Sequence, residues 1–254
     1  MAKIQRRDLF IGVAGAAGAA AGAVAAGYWR PRQPQGPGGV RSYAHSGEDI
    51  IAQQFLESLR INRPSYLDIG AWLPDVSNNT YLFYLLGGRG VLVEPNIGVI
   101  PRLKATRPGD SVLNIGIGFT DHNEHDYYCY KNSELNTFDK ELAERRAARS
   151  GVKYEKVVKM PLVPINRVIE EHLDGKAPDF LSTDAEGLDL SILKSLDLRK
   201  YRPKVICAET IDEDLKRTLP VMGTEITSFL ADQGYEARAM TYYNTRYVEK
   251  TALS

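Results

Sequence analysis

A chain of 254 residues is long enough for one α/β domain with a substantial core and some sequence to spare. Its 32 lysines and arginines match its 32 aspartates and glutamates, and no basic face is studded with aromatics, which argues against a nucleic-acid partner. The two cysteines, Cys129 and Cys207, have neither a second thiol nor a histidine at zinc spacing, and the apolar run Val205-Ile206-Cys207-Ala208 is the setting of a buried free thiol.

The first residues bear on compartment. Lys3, Arg6 and Arg7 precede Leu9-Phe10-Ile11 and an alanine- and glycine-rich tract that ends at Gly27. Paired arginines before a weakly hydrophobic core resemble a twin-arginine export signal over residues 1–27, with Ala23-Val24-Ala25 as a small-x-small cleavage site. The expected location is then the periplasm or cell envelope. The alternative is an uncleaved membrane anchor with Tyr28 and Trp29 at the interface and a domain facing the cytosol. This segment is the part of the chain expected to touch a membrane. Residues 28–41, rich in proline and glycine, form a linker, and the folded domain is expected over residues 42–254.

Residues 47–56 read as an amphipathic helix, with Glu48 and Asp49 placed in its first turn where the helix dipole favours them. Tyr66 to Ile69 is a short buried parallel strand that stops at Gly70, a residue that lets a ligand approach the backbone. Asn78 and Asn79 supply helix-start chemistry for Thr80 to Leu86, Gly87-Gly88 closes that helix, and Val91 to Val93 is the next strand, ending on Glu94. This is half of a nucleotide-binding α/β unit, in which ligands sit at the carboxyl ends of the strands. An acidic residue closing the second strand accepts hydrogen bonds from both hydroxyls of an adenosine ribose, and Glu94 comes 24 residues after Gly70. The turn Gly70-Ala71-Trp72-Leu73-Pro74-Asp75 carries only the first glycine of G-x-G-x-x-G. Without a phosphate cradle NAD and ATP fit poorly, and an adenosine ligand lacking phosphate, S-adenosylmethionine, fits better.

Residues 97–106 are expected to be helical despite Pro101, and Ser111 to Ile115 a third strand leading into Gly116-Ile117-Gly118. Asp121 to Asp126 reads as a solvated turn before the strand Tyr127 to Tyr130 rather than as a metal cluster. Thr137 to Ser150 is a charged helix whose Arg145, Arg146 and Arg149 read as a solvated face, with a hold on an acidic sugar as the alternative. Lys156 to Ile165 is extended, Asn166 to Leu173 helical, and Asp179 to Thr183 a strand whose exit is Asp184-Ala185-Glu186-Gly187. A helix over 188–196, a buried strand Pro203 to Ala208 ending in Glu209, a helix over 223–232 and two strands, 236–240 and 242–248, complete the chain. Five core strands alternating with helices, then a strand pair, predict a doubly wound, mostly parallel α/β sheet with an antiparallel closing hairpin.

Tyr43-Ala44-His45-Ser46-Gly47-Glu48-Asp49, Asp68-Ile69-Gly70-Ala71, Val93-Glu94-Pro95-Asn96, Leu135-Asn136-Thr137-Phe138 and Ser182-Thr183-Asp184-Ala185-Glu186-Gly187 follow one another as in the FkbM-type methyltransferases. The resemblance covers about residues 42–249. It implies a Rossmann-like class I fold and an S-adenosylmethionine-dependent methyltransferase acting on a hydroxyl of a sugar, glycan or natural product. It places Asp68 and Gly70 at the methionine end of the cofactor, Glu94 at the ribose, Gly116 near the adenine, Ala71 and Pro95 among the cofactor-binding residues, and Asp184 and Glu186 facing the transferred methyl. Pro74 stands where a third glycine is usual, and Ala44-His45 replaces a serine-glutamine pair.

Methyl transfer from a sulfonium is an in-line displacement governed by positioning, with a carboxylate taking the hydroxyl proton. Asp184 and Glu186 are the candidate catalytic residues, Glu209 leaves the next strand beside them, and no metal is required. Tyr127, Tyr128, Tyr130, Tyr242 and Tyr243 read either as strand packing or as stacking surfaces for a sugar. One conflict stands: S-adenosylmethionine is a cytosolic metabolite, so export requires either cofactor loaded beforehand, an anchored domain facing the cytosol, or loss of catalysis. The alternatives are therefore a non-catalytic exported binding protein and a metal-dependent glycosyltransferase, the latter opposed by the lack of Asp-x-Asp at a strand end.

Overall fold

The computed structural model describes residues 40–119, 124–210 and 225–253, which belong to one compact unit beginning at Gly39. The expected signal and nearly all of the linker, the residues Asp121, His122 and Asn123, and the start of the helix over 223–232 lie outside the described residues.

The strands, in chain order, are β1 (Ser65–Ile69), β2 (Arg89–Val93), β3 (Ser111–Leu113), β4 (Gly116–Gly118), β5 (Glu124–Cys129), β6 (Lys156–Pro164), β7 (Phe180–Thr183), β8 (Val205–Glu209), β9 (Tyr235–Met240) and β10 (Asn244–Glu249). The helices are α1 (Glu48–Ser58), α2 (Tyr81–Leu85), α3 (Ile100–Thr106), α4 (Lys140–Ser150), α5 (Ile165–His172), α6 (Asp189–Ser195) and α7 (Glu225–Asp232). Seven strands form the main sheet in the order β3-β2-β1-β7-β8-β10-β9. The first five are parallel, and β10 is antiparallel to both β8 and β9, which is the expected closing hairpin. From β1 the chain builds outward to β2 and β3, then returns to the other side of β1 with β7. The crevice at that reversal, at the carboxyl ends of β1 and β7, is where such sheets bind ligands.

Period-two alternation assigns each strand residue to one of two cores. Leu67, Ile69, Val91, Val93, Leu181 and Ile206 pack on α5, α6 and α7, whereas Tyr66, Leu92, Phe180, Val205 and Cys207 pack on α1, α2 and α3. Burial on both faces explains the continuous apolar runs of β1, β2, β7 and β8. Cys207 is a buried free thiol, as its context predicts.

The structure departs from the sequence-based expectations in several places. The third strand ends at Leu113, because the Asn114 side-chain amide donates to the carbonyls of Glu94 (2.8 Å) and Pro95 (2.9 Å) and turns the chain aside. Beyond it β4, β6 and β5 build a separate three-stranded sheet. Asn79 does not serve the start of α2; its amide donates to Ser182 Oγ across the switch point (3.0 Å), while Asn78 Oδ1 accepts the Thr80 N–H (3.1 Å). Glu48 and Asp49 stand in the first turn of α1 as expected, but they are fully buried, so the helix dipole is not their only partner. Asp49 accepts from Ser42 Oγ (2.6 Å) and the Tyr43 N–H (2.7 Å), and Glu48 accepts from the Ser46 N–H (2.6 Å) and from Thr241, with buried Arg246 at 3.9 Å. Arg146 leaves the expected solvated face of α4: it shares a side with Leu142 and Ala143, while Arg145 and Arg149 are exposed.

Among the described residues no helix is long and apolar enough to cross a membrane.

Candidate active site

A cavity of about 270 Å³ opens at the carboxyl ends of the parallel strands. Its wall carries Gly70, Glu94, Pro95, Gly116, Asp184 and Glu186, so six of the eight sequence-predicted site residues meet in one place. Asp68 and Ala71 stand behind that wall.

Alternation explains Asp68. It points to the face opposite Leu67 and Ile69, where its carboxylate accepts from Thr80 Oγ1 (2.6 Å) and the Asn78 amide (3.4 Å). Arg107 donates to the same Thr80 (3.0 Å) and Asn78 (3.0 Å) and pairs with Asp110 (2.7 Å), which also holds Tyr66. Burial pushes the Asp68 carboxyl up, and the Thr80 hydroxyl and the Arg107 charge oppose this. Asn78 also donates to the Ala71 carbonyl (2.9 Å), so the network fixes the turn after β1 from behind. Asp68 is thus a positioning residue, and Ala71 belongs to the core on its own face.

Gly70 has φ +81, and a Cβ there would lie 2.9 Å from the Asp184 carbonyl carbon and closer still to its oxygen. The Asp184 N–H donates to the Ile69 carbonyl (3.0 Å) at this crossing. The glycine therefore serves the close approach of two strand exits, beyond the ligand access expected of it. Gly116 has a similar cause: a Cβ would meet Phe138 at 2.5 Å and Leu162 at 2.7 Å.

Glu94 closes β2 with only 4% of its surface exposed. Oε2 accepts the Trp72 N–H (2.7 Å) and Oε1 the Asn96 N–H (2.7 Å). Trp72 can aim its N–H this way because it adopts φ +43, and its indole N–H fastens the turn to Ser133 Oγ (3.0 Å). Burial pushes the Glu94 carboxyl up to about 7, against the two backbone donors. An ionised carboxylate accepts about four hydrogen bonds, so one remains available on each oxygen for a vicinal diol.

Across the cavity, Asp184 leaves β7, Glu186 follows at φ +49, and Glu209 ends β8. One oxygen from each lies within 4.8 Å of the others. Burial, then Glu186, Asp189, Asp68 and Glu48, push the Asp184 carboxyl well above the ordinary range. Asp189, beneath it, is pushed up to about 6 by burial despite the Ala185 N–H it accepts (3.3 Å). Arg146 forms an ion pair with Glu186 and donates to the Leu135 carbonyl (2.6 Å), while Thr137 Oγ1 donates to the Glu186 carbonyl (3.0 Å). The Leu135-Asn136-Thr137-Phe138 block, quoted in sequence without a role, is therefore the clamp on Glu186.

Sequence reasoning missed Trp72 and Asn244 as site residues, and it offered Arg146 as a contact to an acidic sugar rather than as the partner of Glu186. Arg146 follows Ala143 by three residues and Leu142 by four, which was a usable signal for the arginine; nothing local marks Trp72 or Asn244. His45 lines the cavity with its ring edge-on to Tyr243 (4.4 Å between centroids), and Tyr127 lines it against Phe138 (4.6 Å). Glu124 to Asp126, read as the end of a solvated turn, instead begin β5, opposite Pro161, Met160 and Lys159 of β6; Asp126 pairs with Lys159 (2.6 Å) and His125 is exposed.

A seven-stranded sheet in the order β3-β2-β1-β7-β8-β10-β9, parallel but for β10, with its cavity at the carboxyl ends of the strands, is the architecture of a class I methyltransferase. The methyltransferase FkbM domain model matches residues 68–237, and the chain belongs to that family. It is an S-adenosylmethionine-dependent methyltransferase, which sets aside the glycosyltransferase alternative. Comparison of the sequence with curated proteins returned no match. The chain is similar to the precorrin-6y C5,15-methyltransferase of Geobacter metallireducens GS-15, at 13% identity and TM-score 0.41 over 84% of this chain and 92% of that one. It is similar also to the O-methyltransferase of Bacillus cereus solved with SAH, at 13% identity and TM-score 0.37 over 86% of this chain and 84% of that one. A third is the ribosomal protein L11 methylase of Lactobacillus delbrueckii subsp. bulgaricus, at 10% identity and TM-score 0.38 over 79% and 77%. Likenesses this distant carry no functional argument.

Proposed function

We propose that the enzyme methylates a hydroxyl of a neutral sugar, glycan or other polyhydroxylated natural product. The observation that carries this reading is the convergence of Asp184, Glu186 and Glu209 opposite Glu94 in one cavity. Glu94 suits the ribose diol, Gly70 and the Asp184 exit the methionine end, and Pro95 and Gly116 the base. Asp68 and Ala71 act on the cofactor only through the turn they hold.

When bound, S-adenosylmethionine supplies a methyl group made electrophilic by its sulfonium sulfur. The chain's own task is to hold the acceptor hydroxyl in line and accept its proton on a carboxylate, Asp184 or Glu186. Hydroxyl-rich acceptors suit a wall of carboxylates, which accept hydrogen bonds and repel anions. Arg146 is committed to Glu186, so it does not favour an acidic sugar. His45, Tyr127 and Tyr243 add aromatic surface at the same cavity.

The test is formation of S-adenosylhomocysteine from S-adenosylmethionine with a panel of hydroxyl, amine and thiol acceptors. Turnover with hydroxylated acceptors alone is expected, lowered about 10²- to 10⁴-fold in Asp184→Asn. Methylation of an amine or thiol acceptor in preference, or full activity in the Asp184→Asn, Glu186→Gln double variant, would overturn the reading.

A further inference from the structure

Asn244 opens β10 and is the register partner of Glu209 in the antiparallel β8–β10 pair, which puts the two side chains on one face of the sheet. It lines the same cavity, is 2% exposed, and its Oδ1 has no hydrogen-bond partner among the described residues. A buried amide oxygen without a donor is costly, and the neighbouring Arg246 guanidinium donates to the Asn244 backbone carbonyl (3.2 Å) rather than to this oxygen. Three carboxylate oxygens within 4.8 Å of one another and an orphaned amide oxygen on the same cavity wall make an all-oxygen ligand set. Hard divalent cations select that set, whereas zinc prefers nitrogen and sulfur.

We propose that Asp184, Glu186, Glu209 and Asn244 bind a divalent cation of the magnesium and manganese class, and that this ion takes the acceptor's hydroxyl oxygen as a further ligand. The proposal deepens the methyltransferase reading of the cavity, rests on it, and replaces the metal-free chemistry expected from sequence. Ligand oxygens at 2.0–2.1 Å from Mg²⁺ stand roughly 3–4 Å apart, so the cluster closes on an ion by small side-chain rotations. Arg146 does not compete for the whole of Glu186, since a carboxylate serves a guanidinium and an ion through its two oxygens.

The chemistry balances without another reactant. Coordination acidifies the hydroxyl. Its O–H bond breaks, the proton passes to a carboxylate oxygen not engaged with the ion, and the oxygen pair attacks the methyl carbon. The new O–CH₃ bond forms as the C–S bond breaks, and the sulfonium leaves as a neutral thioether. The ion also fixes which hydroxyl of a polyol reacts, because a second hydroxyl on the adjacent carbon completes a chelate.

The test uses the full chain freed of metal by EDTA. Manganese binding is followed by electron paramagnetic resonance, competition by added magnesium and calcium, and S-adenosylhomocysteine binding by calorimetry on the same samples. One Mn²⁺ per chain, displaced by Mg²⁺ and weakened at least about tenfold in both Glu209→Gln and Asn244→Ala, is expected, with S-adenosylhomocysteine affinity kept. Retained S-adenosylhomocysteine binding also shows that each variant is folded, and Glu209→Gln alone decides if Asn244→Ala does not fold. A chain that binds S-adenosylhomocysteine but not Mn²⁺, or Mn²⁺ binding indifferent to Glu209→Gln, overturns the cation site and leaves the methyltransferase reading intact. A folded chain that binds no S-adenosylhomocysteine overturns both.

Discussion

Replacing Gly70 by alanine tests how the two halves of the site are joined. The new methyl group would lie 2.9 Å from the Asp184 carbonyl carbon, and the residue would keep φ near +81. A left-handed alanine costs about 1–2 kcal/mol, and overpacking against backbone adds about 1–3 kcal/mol. The sum, roughly 2–5 kcal/mol, lowers the Tm of a domain this size by about 10 °C. Gly151→Ala is the control, because Gly151 also has positive φ (+69) but nothing within 4 Å of a Cβ. It should lose only the conformational part, about 1 kcal/mol. Relief of the clash at residue 70 moves the β7 exit away from β1, so turnover at 20 °C should fall on the order of 10²-fold, the effect of about 1 Å of misplacement. Thermal unfolding and steady-state assays read the two effects separately. A Gly70→Ala protein within about 2 °C of the parent, or no less stable than Gly151→Ala, would refute the close-approach argument.

Three further outcomes are expected. Arg146→Met should leave S-adenosylhomocysteine binding near its parent value while lowering turnover and stability, the latter by roughly 3–5 kcal/mol because Glu186 keeps a half-buried charge; a double-mutant cycle with Glu186→Gln that shows no coupling would contradict the pairing. Cofactor affinity should fall as pH drops through about 7, because the Glu94 carboxylate is raised to that value in the free enzyme and only its ionised form accepts both ribose hydroxyls. The stability effect has the opposite sign. A carboxyl raised above its ordinary value makes a contribution to folding that is complete below that ordinary value and lost as pH rises through about 7. Titrations from pH 5.5 to 8.5 check both, and Glu94→Gln should flatten both. Residues 1–27 are proposed as an export signal, so Arg6→Lys with Arg7→Lys should keep a reporter fusion in the cytosol; export unchanged in the variant would refute the twin-arginine route, and a parent fusion that stays on the cytosolic face would leave the anchor as the better reading.

The parts legible in sequence are those set by local periodicity. Short apolar runs ending in Gly70, Glu94, Asp184 and Glu209 marked the parallel strands, and a strand end necessarily presents its last residues to the crevice. What was not legible depended on partners distant in sequence. The alternating segment Lys156–Pro164 reads as extended in any context, and only its pairing with β4 and β5 tells that it leaves the main sheet. Glu48 looks the same from sequence whether it faces a helix dipole in water or Thr241 and Arg246 in the interior. Asp68 was read through its motif as a cofactor contact, although alternation with Leu67 and Ile69 already turned it toward the Thr80 side. Asn244 has no distinguishing neighbours in the chain; its place beside Glu209 comes from register alone.

The claim on which the rest depends is that Glu94 holds the cofactor's ribose in this cavity. Calorimetric titration of the full chain with S-adenosylhomocysteine, repeated on Glu94→Ala, tests it directly. Two hydrogen bonds to a charged acceptor contribute about 1.5–3 kcal/mol each, so the variant should bind at least roughly 100-fold more weakly while remaining folded. A folded parent chain that does not bind S-adenosylhomocysteine, or a Glu94→Ala protein that binds it as tightly as the parent, would contradict the assignment of the site.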